Sequence, residues 1–226
     1  MALSIIIPVL NEAESIVATV ELLQTFRQGG CQLIVVDGGS RDGTVQLAEP
    51  YVDKLLTSKA GRANQMNAGA EVAEGKVLLF LHADTLLPMD SDRLIEQRLK
   101  ESGCSWGRFD VSLSGQQPLL RVVEAMMNNR SRWSGIATGD QAIFVKKKLF
   151  DEVGGFPSIA LMEDIALSRL LKAEGSPLCL KEKVVTSSRR WEEKGVVRTI
   201  CLMWIFRLAY FLGVKPEQLV KIYYGK

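Results

Sequence analysis

The chain has 226 residues, of which 47% are hydrophobic and 24% are charged, as is ordinary for a soluble globular protein. Its formal net charge of +2 is too small to indicate a nucleic-acid-binding protein. The four cysteines form no Cys-x-x-Cys pair, and the N-terminus lacks the features of a signal peptide. We therefore expect a cytoplasmic protein with reduced thiols and without a zinc site.

The first half of the chain alternates between apolar, β-rich runs and segments with helical spacing. Strands are predicted over residues 3–7, 33–36, 52–56 and 76–81, and helices over residues 12–26, from residue 40 or 42 onwards, and over 61–73. Repeated strand–helix units imply a parallel, right-handed, doubly wound sheet. The predicted fold class is therefore α/β, with a Rossmann-like, mostly parallel sheet and helices on both faces.

The second half of the chain gives mixed signals. Helices are predicted over residues 92–100, 119–132 and 163–173, and strands over 108–114 and 141–145. Residues 108–114 alternate with period two, which predicts a strand with one solvent-facing side. No repeat or Pro/Gly-rich linker interrupts the chain, so we expect one domain over residues 1–192, followed by an apolar helical extension over 193–226.

The extension contains a nearly continuous apolar segment, residues 196–214, in which only Arg198 and Arg207 are charged. A bilayer-spanning helix needs about 20 apolar residues, so this segment is not expected to cross a membrane. A helix that is apolar on nearly all sides is buried on its own domain, shared with a second copy of the chain, or laid on a membrane surface. The sequence leaves open burial, a homo-oligomer and peripheral contact with the inner membrane face.

Three short acidic motifs occur where strands are expected to end. They are Asp-Gly-Gly-Ser from Asp37, Leu-His-Ala-Asp over residues 81–84, and Met-Glu-Asp over residues 162–164. Ligands of open α/β sheets bind at the carboxyl ends of the strands, so we expect these carboxylates to converge on one crevice. Such a crevice suits a divalent metal, a nucleotide and a base that accepts a proton.

The first motif and its surroundings supply candidates for nucleotide contacts. Asp37 could accept hydrogen bonds from a base or a ribose hydroxyl, or could serve only as a turn residue. Asn11 and Glu12 follow the first strand, where they would also suit a helix N-terminus. Arg62 and the N–H groups at the start of its helix would suit a diphosphate, although a surface ion pair is the alternative. Asn67 is a further candidate on that helix.

The other two motifs supply candidates for metal binding and proton transfer. Asp84 follows the most apolar strand, and a carboxylate beside diphosphate oxygens suits Mg²⁺ or Mn²⁺. His82, the only histidine, could ligate Mn²⁺ or pack beneath the site. Glu163 and Asp164 begin a helix, where one of the two could be a simple cap. Asp164 is the candidate base for an acceptor hydroxyl, with Glu163 behind it.

These motifs, in this order, resemble the family 2 glycosyltransferases, which have the GT-A fold. The resemblance rests on residues 5–12, 36–44, 81–84, 154–156 and 162–164. More narrowly, the chain is similar to the bacterial subgroup called radical-SAM/selenodomain-associated transferase 2, which is also linked by name to arsenosugar biosynthesis. The narrower similarity rests on residues 61–69, 107–110, 138–142 and 188–191.

The resemblance implies an inverting transfer of a sugar from a nucleotide-diphosphate donor to an acceptor hydroxyl, assisted by Mg²⁺ or Mn²⁺. It implies that Asp37 holds the nucleobase, Arg62 the diphosphate and Asp84 the metal. Asp164 would be the catalytic base. Asp140 lies where relatives shape the acceptor pocket.

Two positions depart from the family pattern. His82 stands at the first position of the usual Asp-x-Asp motif, which leaves fewer charged metal ligands. Ser187 replaces the glutamine in the Gln-x-x-Arg-Trp motif of processive relatives. Arg190 and Trp191 are retained and could cover the diphosphate or stack on a sugar. A non-processive enzyme is therefore expected.

Two other functions stay open at this point. A nucleotidyltransferase would need a basic, glycine-rich loop after the first strand, and residues 8–11 are not one. A catalytically inactive partner that binds a nucleotide sugar is disfavoured by the presence of both Asp84 and Asp164. The Gly-x-Ser-x-Gly sequence over residues 103–107 does not indicate a hydrolase, because a helix precedes it and a strand follows it.

Overall fold

The computed structural model describes residues 3–214, 216, 218 and 219, apart from the side chains of Arg190 and Lys194. The strands in this part of the chain join in one sheet. They are β1 (Leu3–Val9), β2 (Gln32–Asp37), β3 (Lys54–Thr57), β4 (Val77–Phe80), β5 (Thr85–Leu86), β6 (Trp106–Leu113), β7 (Phe144–Lys146) and β8 (Leu178–Thr186). Their order across the sheet is β3-β2-β1-β4-β7-β6-β8-β5.

Most neighbouring strands run in the same direction. Strand β1 is parallel to β2 and β4, β2 is parallel to β3, and β6 is parallel to β8. Strand β7 is antiparallel to β4 and β6, and β5 is antiparallel to β8. The predicted α/β class with a mostly parallel sheet is therefore confirmed.

Helices cover both faces of this sheet. They are α1 (Ile16–Leu22), α2 (Gln24–Gln28), α3 (Thr44–Ala48), α4 (Arg62–Glu71), α5 (Ser91–Ser102), α6 (Pro118–Ser134), α7 (Lys147–Glu152), α8 (Glu163–Glu174), α9 (Arg189–Lys194) and α10 (Val196–Phe211). Short 3₁₀ turns occur at Glu49–Tyr51 and Gly139–Gln141. Over the described residues, none of the helices has the length and apolar character needed to cross a membrane.

Two apolar cores lie on opposite faces of the sheet, because side chains of a strand alternate between its faces. In β1, Ile5 and Ile7 belong to the core beneath α1, α2, α5 and α6, whereas Ile6 belongs to the core beneath α4, α7 and α8. Gly69 allows α4 to lie close to the sheet, since a Cβ atom there would collide with the Ile6 side chain. The result is a three-layer arrangement that holds the strand ends in fixed positions.

The helix predicted over residues 12–26 starts later and is interrupted. Its first residues bond instead to the loop after β2: the Glu12 N–H donates to Thr44 Oγ1 at 2.8 Å and the Ala13 N–H to Asp42 Oδ2 at 3.0 Å. Helix α1 therefore begins at Ile16, and α2 follows after a break at the buried Leu23.

The prediction of a solvent-facing side for β6 was wrong. The strand is buried along nearly its whole length between β7 and β8, and its polar side chains find partners inside the protein. Arg108 forms an ion pair with Asp110, and Asp110 also accepts from Arg132 Nη2 of α6 at 2.7 Å. Asn128 of α6 bonds the main chain at Val111 through both ends of its amide. Alternation in this strand reflects internal polar pairing and not exposure.

Helix α10 is buried along one side. Phe206 is 1% exposed and belongs to a small third core with Met162 and Ile165, at the start of α8. Val196 joins the core beneath α6. The opposite side of α10 has no cover among the described residues, so one helix combines a packed face and an open face.

Candidate functional site

A cavity of about 430 Å³ lies where two strands of the sheet end. His82 and Asp84, in the loop after β4, line it together with Thr186, the last residue of β8. The start of α8 and the packed side of α10 close the cavity from other directions. The second and third acidic motifs therefore meet in one space, although the third motif follows the loop after α7 and not the end of a strand.

The loops after β1 and β2 are tied to each other. The Asn11 N–H donates to Ser40 Oγ at 2.8 Å, and Asn11 Oδ1 accepts from the Arg41 N–H at 2.9 Å. The buried Asp37 carboxylate accepts from the N–H groups of Gly39 and Ser40, at 2.9 and 3.1 Å. These contacts fix the shape of the two loops.

Of the residues predicted in these loops, the structure brings only one to the cavity wall. Glu12 lines the cavity, and its Oε2 accepts from Ser15 Oγ at 2.8 Å. Asn11 and Asp37 lie outside the set of residues that line it. They are placed to bound an adjoining part of the sheet edge.

Helix α4 presents one of its two predicted site residues to the cavity. Arg62, in its first turn, lines the cavity, and its charge acts to lower the pKa of Glu163. Asn67 instead faces the turn before α8. Its amide donates to the Phe156 carbonyl at 2.8 Å and accepts from the Phe156 N–H at 2.9 Å. Both ends of the Asn67 amide are thus used to hold main chain.

His82 packs against the 3₁₀ turn that carries Asp140. The distance from His82 Nδ1 to Asp140 Oδ1 is 3.3 Å. The other ring nitrogen, Nε2, lies so close to Gly139 that a Cβ atom there would be 2.5 Å from it. Both ring nitrogens therefore face protein groups, and Gly139 leaves the space that the ring occupies.

Asp84 is held by its main chain and exposes its carboxylate. The Asp84 carbonyl accepts from the Ser187 N–H at 3.2 Å, which links the loop after β4 to the end of β8. Beside it, Thr85 and Thr186 share a hydroxyl–hydroxyl hydrogen bond of 2.9 Å. A rigid main chain with an open carboxylate suits a residue that contacts a ligand.

The two acids at the start of α8 have different surroundings. Asp164 Oδ2 accepts from the Gly139 N–H at 2.8 Å, and Oδ1 accepts from its neighbour's N–H, that of Ile165, at 2.7 Å. Glu163 is buried, and burial is the main cause that raises its pKa, with repulsion from Asp164 adding to the effect. Arg62 and His82 oppose the shift. Asp164 is therefore oriented by main-chain donors, while Glu163 lies deeper.

Arg207 is a site residue that the sequence interpretation missed. It comes from α10 and lines the cavity. Burial lowers the pKa of its guanidinium, and the carboxylates of Asp164 and Asp140 oppose this shift. Arg130, on α6, does not line the cavity; burial lowers its pKa to about 10, and the positive charge of Arg207 adds to the effect. The signal that could have pointed to Arg207 is that it is one of two cations in an otherwise apolar helix.

Helix α9 completes one wall of the cavity. Trp191 lines it, as does Arg189, which was not among the predicted site residues. The main-chain N–H of Trp191 donates to the Ser188 carbonyl at 2.8 Å. The predicted site residue Arg190 belongs to the same helix, but its side chain lies outside the described residues.

The possible metal ligands of the cavity fit a metal ion that is bound partly by the substrate. Within the described part of the chain, no group of three or more His, Cys, Asp and Glu side chains is placed to hold a metal ion by itself. Mg²⁺ in nucleotide sites commonly takes one or two carboxylates and completes its shell with phosphate oxygens and water. The open carboxylate of Asp84 meets that requirement, whereas the His82 ring is enclosed by Gly139 and Asp140.

Comparison with known proteins defines the class of this chain. The sequence model of the glycosyl transferase family 2 matches residues 4–159, which include the sheet strands β1 to β7 and the first two acidic motifs. The chain therefore belongs to the glycosyl transferase family 2.

The curated relatives include glycosyltransferases of bacteria. A PGL/p-HBAD biosynthesis glycosyltransferase of Mycobacterium bovis BCG is 29% identical over 172 residues, which cover 68% of this chain and 62% of the relative. YibD of Escherichia coli K12, an uncharacterized glycosyltransferase, is 34% identical over 148 residues, which cover 61% of this chain and 41% of the relative. The chain thus spans less than two thirds of the length of these relatives.

Solved structures show the same fold. Staphylococcus aureus TarS 1–349 in complex with UDP-GlcNAc has a TM-score of 0.66 and 19% identity, over 83% of this chain and 58% of that chain. The mannosyltransferase PcManGT of Pyrobaculum calidifontis, in complex with GDP-Man and Mn²⁺, has a TM-score of 0.63 and 19% identity, over 81% of this chain and 56% of that chain. The GT-A-like α/β fold is confirmed by these similarities.

Proposed function

We propose that the chain transfers a sugar, with inversion and without processivity, from a nucleotide-diphosphate donor to an acceptor hydroxyl. The observation that carries this proposal is the meeting of Asp84, Asp164 and two arginines, Arg62 and Arg207, around one cavity of a family 2 chain. Carboxylates for a metal and a base, together with cations for a diphosphate, are the groups that such a reaction requires.

The donor would lie along the sheet edge, with its diphosphate in the cavity. Arg62 and Arg207 would bind diphosphate oxygens, and Trp191 would stack on the sugar or cover it, with Arg190 beside it. Asp37, Asn11 and Glu12 would bound the nucleoside end. Support comes from the structural neighbours, which were solved in complexes with UDP, UDP-GlcNAc and GDP-Man.

Asp164 would act as the catalytic base. Each of its carboxylate oxygens accepts one main-chain hydrogen bond, so each keeps a lone pair for an acceptor hydroxyl. Asp164 would take the hydroxyl proton while the acceptor oxygen bonds to the anomeric carbon and the carbon–diphosphate bond breaks. Glu163 would support the base from behind, and Asp140 would shape the acceptor side of the cavity.

Asp84 would hold Mg²⁺ or Mn²⁺ jointly with the donor diphosphate. His82 would position the turn that carries Asp140 and would be a weaker metal ligand, since its ring is enclosed. When bound, the metal would neutralise charge on the departing diphosphate.

Three narrower interpretations of the sequence belong to this proposal. They are membership of the radical-SAM/selenodomain-associated subgroup, the division of the chain between residues 192 and 193, and a cytoplasmic location. The core that Phe206 shares with Met162 and Ile165 supports packing of the extension on the domain.

The test is donor binding followed by turnover. Thermal stability would be measured against a panel of nucleotides and nucleotide sugars, with Mn²⁺ and with EDTA. One donor class should stabilise the protein in a metal-dependent manner, by about 2.7 kcal/mol at a hundredfold excess over Kd. Asp84→Ala should remove the metal-dependent part, and Asp164→Asn should keep donor binding but lose transfer.

The outcomes separate the proposal from its alternatives. Donor binding without transfer to any acceptor would favour an inactive binding partner. Full transfer by Asp164→Asn would show that another group is the base. No stabilisation by any donor would contradict the proposal as a whole.

A further inference from the structure

The outer side of helix α10 is a continuous apolar surface. Eight residues between Val197 and Leu212 are exposed, and all but Arg198 are apolar or cysteine. The seven are Val197, Cys201, Trp204, Ile205, Leu208, Phe211 and Leu212. Their spacing of three and four residues places them in one stripe along the helix. We call this stripe the α10 outer face.

Large side chains on this face are exposed to an unusual degree. Ile205 is 61% exposed, Leu208 58% and Phe211 75%. Scattered exposed apolar residues need no explanation, but a contiguous stripe marks an interaction surface. The inner side of the same helix is already used, because Phe206 and Thr199 are buried against the rest of the protein.

The charge of the chain is divided between this region and the rest. Residues 189–226 contain eight Lys and Arg against three Asp and Glu, a net charge of +5. Residues 1–188 contain twenty Lys and Arg against twenty-three Asp and Glu, a net charge of −3. Among the described side chains, Arg198 is exposed at the border of the outer face, whereas Arg189 and Arg207 line the cavity.

This distribution distinguishes between two occupants of the outer face. A symmetric pair of copies would bring the same positively charged region together with itself. An anionic bilayer would complement it, because basic residues beside an apolar helix face are attracted to acidic headgroups. Helix α10 has 16 residues, about 24 Å at 1.5 Å per residue, so it is too short to span the hydrocarbon layer.

We propose that the α10 outer face binds the surface of an anionic phospholipid bilayer, with the helix lying in the plane of the interface. A free amphipathic helix would need a polar face on its side away from the membrane. Helix α10 needs none, because that side packs against the rest of the protein. Arg198 contacts acidic headgroups at the border of the outer face, while Trp204, Leu208 and Phe211 enter the boundary between headgroups and acyl chains.

Cosedimentation with vesicles tests this proposal. The full chain should bind vesicles of an equal mixture of phosphatidylcholine and phosphatidylglycerol roughly tenfold or more tightly than vesicles of phosphatidylcholine alone. High salt should reduce this difference. The double variant Ile205→Ser with Leu208→Ser should lose roughly tenfold or more of the binding to the mixed vesicles.

The matched control is Leu22→Ser with Leu47→Ser, which removes two exposed leucines from α1 and α3. This control should bind mixed vesicles like the unchanged protein, and both double variants should keep the native melting temperature and donor binding. Retained donor binding separates failure of this proposal from failure of the proposed function.

Three results would overturn the proposal. The first is vesicle binding by Ile205→Ser with Leu208→Ser at the level of the unchanged protein, and the second is absence of vesicle binding by the unchanged protein. The third is a concentration-dependent dimer in sedimentation equilibrium that the same double variant dissociates, without vesicle binding; the outer face would then be a contact between copies.

Discussion

Arg207 shows how a single residue joins the C-terminal helix to the chemistry of the site. Its guanidinium is largely buried, faces the cavity, and feels the carboxylates of Asp164 and Asp140. A desolvated cation interacts strongly with an anionic ligand, since less water screens it. Under the proposed function, Arg207 would bind the donor diphosphate, although it lies outside the part of the chain that matches the family model.

Replacing this cation should therefore weaken transfer. We expect Arg207→Met to lower kcat/KM by roughly tenfold to a hundredfold, about 1.4–2.8 kcal/mol, with Arg207→Lys intermediate. Steady-state transfer in the absence of membranes measures the effect. Arg198→Met, on the exposed side of the same helix, is the control and should leave kcat/KM unchanged. Equal effects of the two methionine variants would argue against a role in the cavity.

Gly139 is required by the close approach of the His82 ring. An added methyl group would lie 2.5 Å from Nε2, so the ring and the turn must separate. We expect Gly139→Ala to cost about 1–3 kcal/mol of unfolding free energy and to reduce transfer, because the Gly139 N–H also orients Asp164. Denaturant unfolding and transfer assays check both effects. Gly175→Ala has open space and should be nearly neutral; activity retained by Gly139→Ala would show that this turn can shift freely.

Glu163 should make the stability of the protein depend on pH. Its pKa is raised by burial, so its stabilising contribution is present below the ordinary value of 4.5 and is lost as pH rises through the raised pKa. Glu163→Gln cannot ionise and should therefore be more stable than the unchanged protein at neutral pH, with the difference vanishing in acid. Melting temperature as a function of pH measures this, at roughly 2–4 °C per kcal/mol.

The control for this experiment is Glu174→Gln, at the exposed end of the same helix. It should follow the unchanged protein at each pH. A Glu163→Gln variant that is less stable than the unchanged protein at neutral pH would mean that the ionised carboxylate is stabilised by its neighbours.

At the scale of elements, α4 connects the sheet to the turn before α8 through Asn67. Loss of two hydrogen bonds to Phe156 should cost about 1–3 kcal/mol in Asn67→Ala. Donor affinity of the folded protein should stay within about twofold, as expected for a residue that positions main chain. Chemical unfolding and donor titration separate the two quantities. Asn64→Ala, on the same helix, is the control, because its hydrogen bonds are exposed. A large loss of donor affinity would instead support direct contact of Asn67 with the nucleotide.

The elements that could be predicted from the sequence are those whose residue pattern follows directly from burial or from helix-end signals. Strands β1, β2 and β4 are buried on both faces, so each appears as a continuous apolar run. Helix α8 was predicted within one residue because its acidic start and Gly175 mark both ends. The end of β4 could also be predicted, and it places Asp84 in the loop at the carboxyl end of the sheet.

Other elements depend on contacts between residues that are far apart in the sequence, and a local pattern does not reveal such contacts. Strand β8 was missed, although a Gly-Ser-Pro sequence over residues 175–177 precedes it, because the charged residues 181–183 interrupt the apolar run that marks the other strands. Strand β6 was predicted to be exposed on one side because its polar residues alternate with apolar ones. That alternation does not reveal that Arg108 and Asp110 pair with each other inside the protein. Arg207 could not be placed, since nothing local states which side of α10 packs on α8.

At the scale of the whole molecule, the cavity draws on two portions of the chain. The part that matches the family model supplies Glu12, Arg62, Asp84 and Asp140, and the remainder supplies Asp164, Trp191 and Arg207. The proposed base and one wall of the cavity are therefore contributed by sequence that the family model does not describe.

Helix α10 lines the cavity with its inner side and carries the proposed membrane-binding surface on its outer face. This arrangement would affect the rate law of the reaction. One helix, about 10–12 Å thick, separates the cavity from the outer face. With that face on a bilayer, an acceptor carried in the same membrane would be found by diffusion in two dimensions. The rate would then follow the mole fraction of acceptor among the lipids, so that adding inert lipid at constant bulk acceptor would slow turnover by surface dilution.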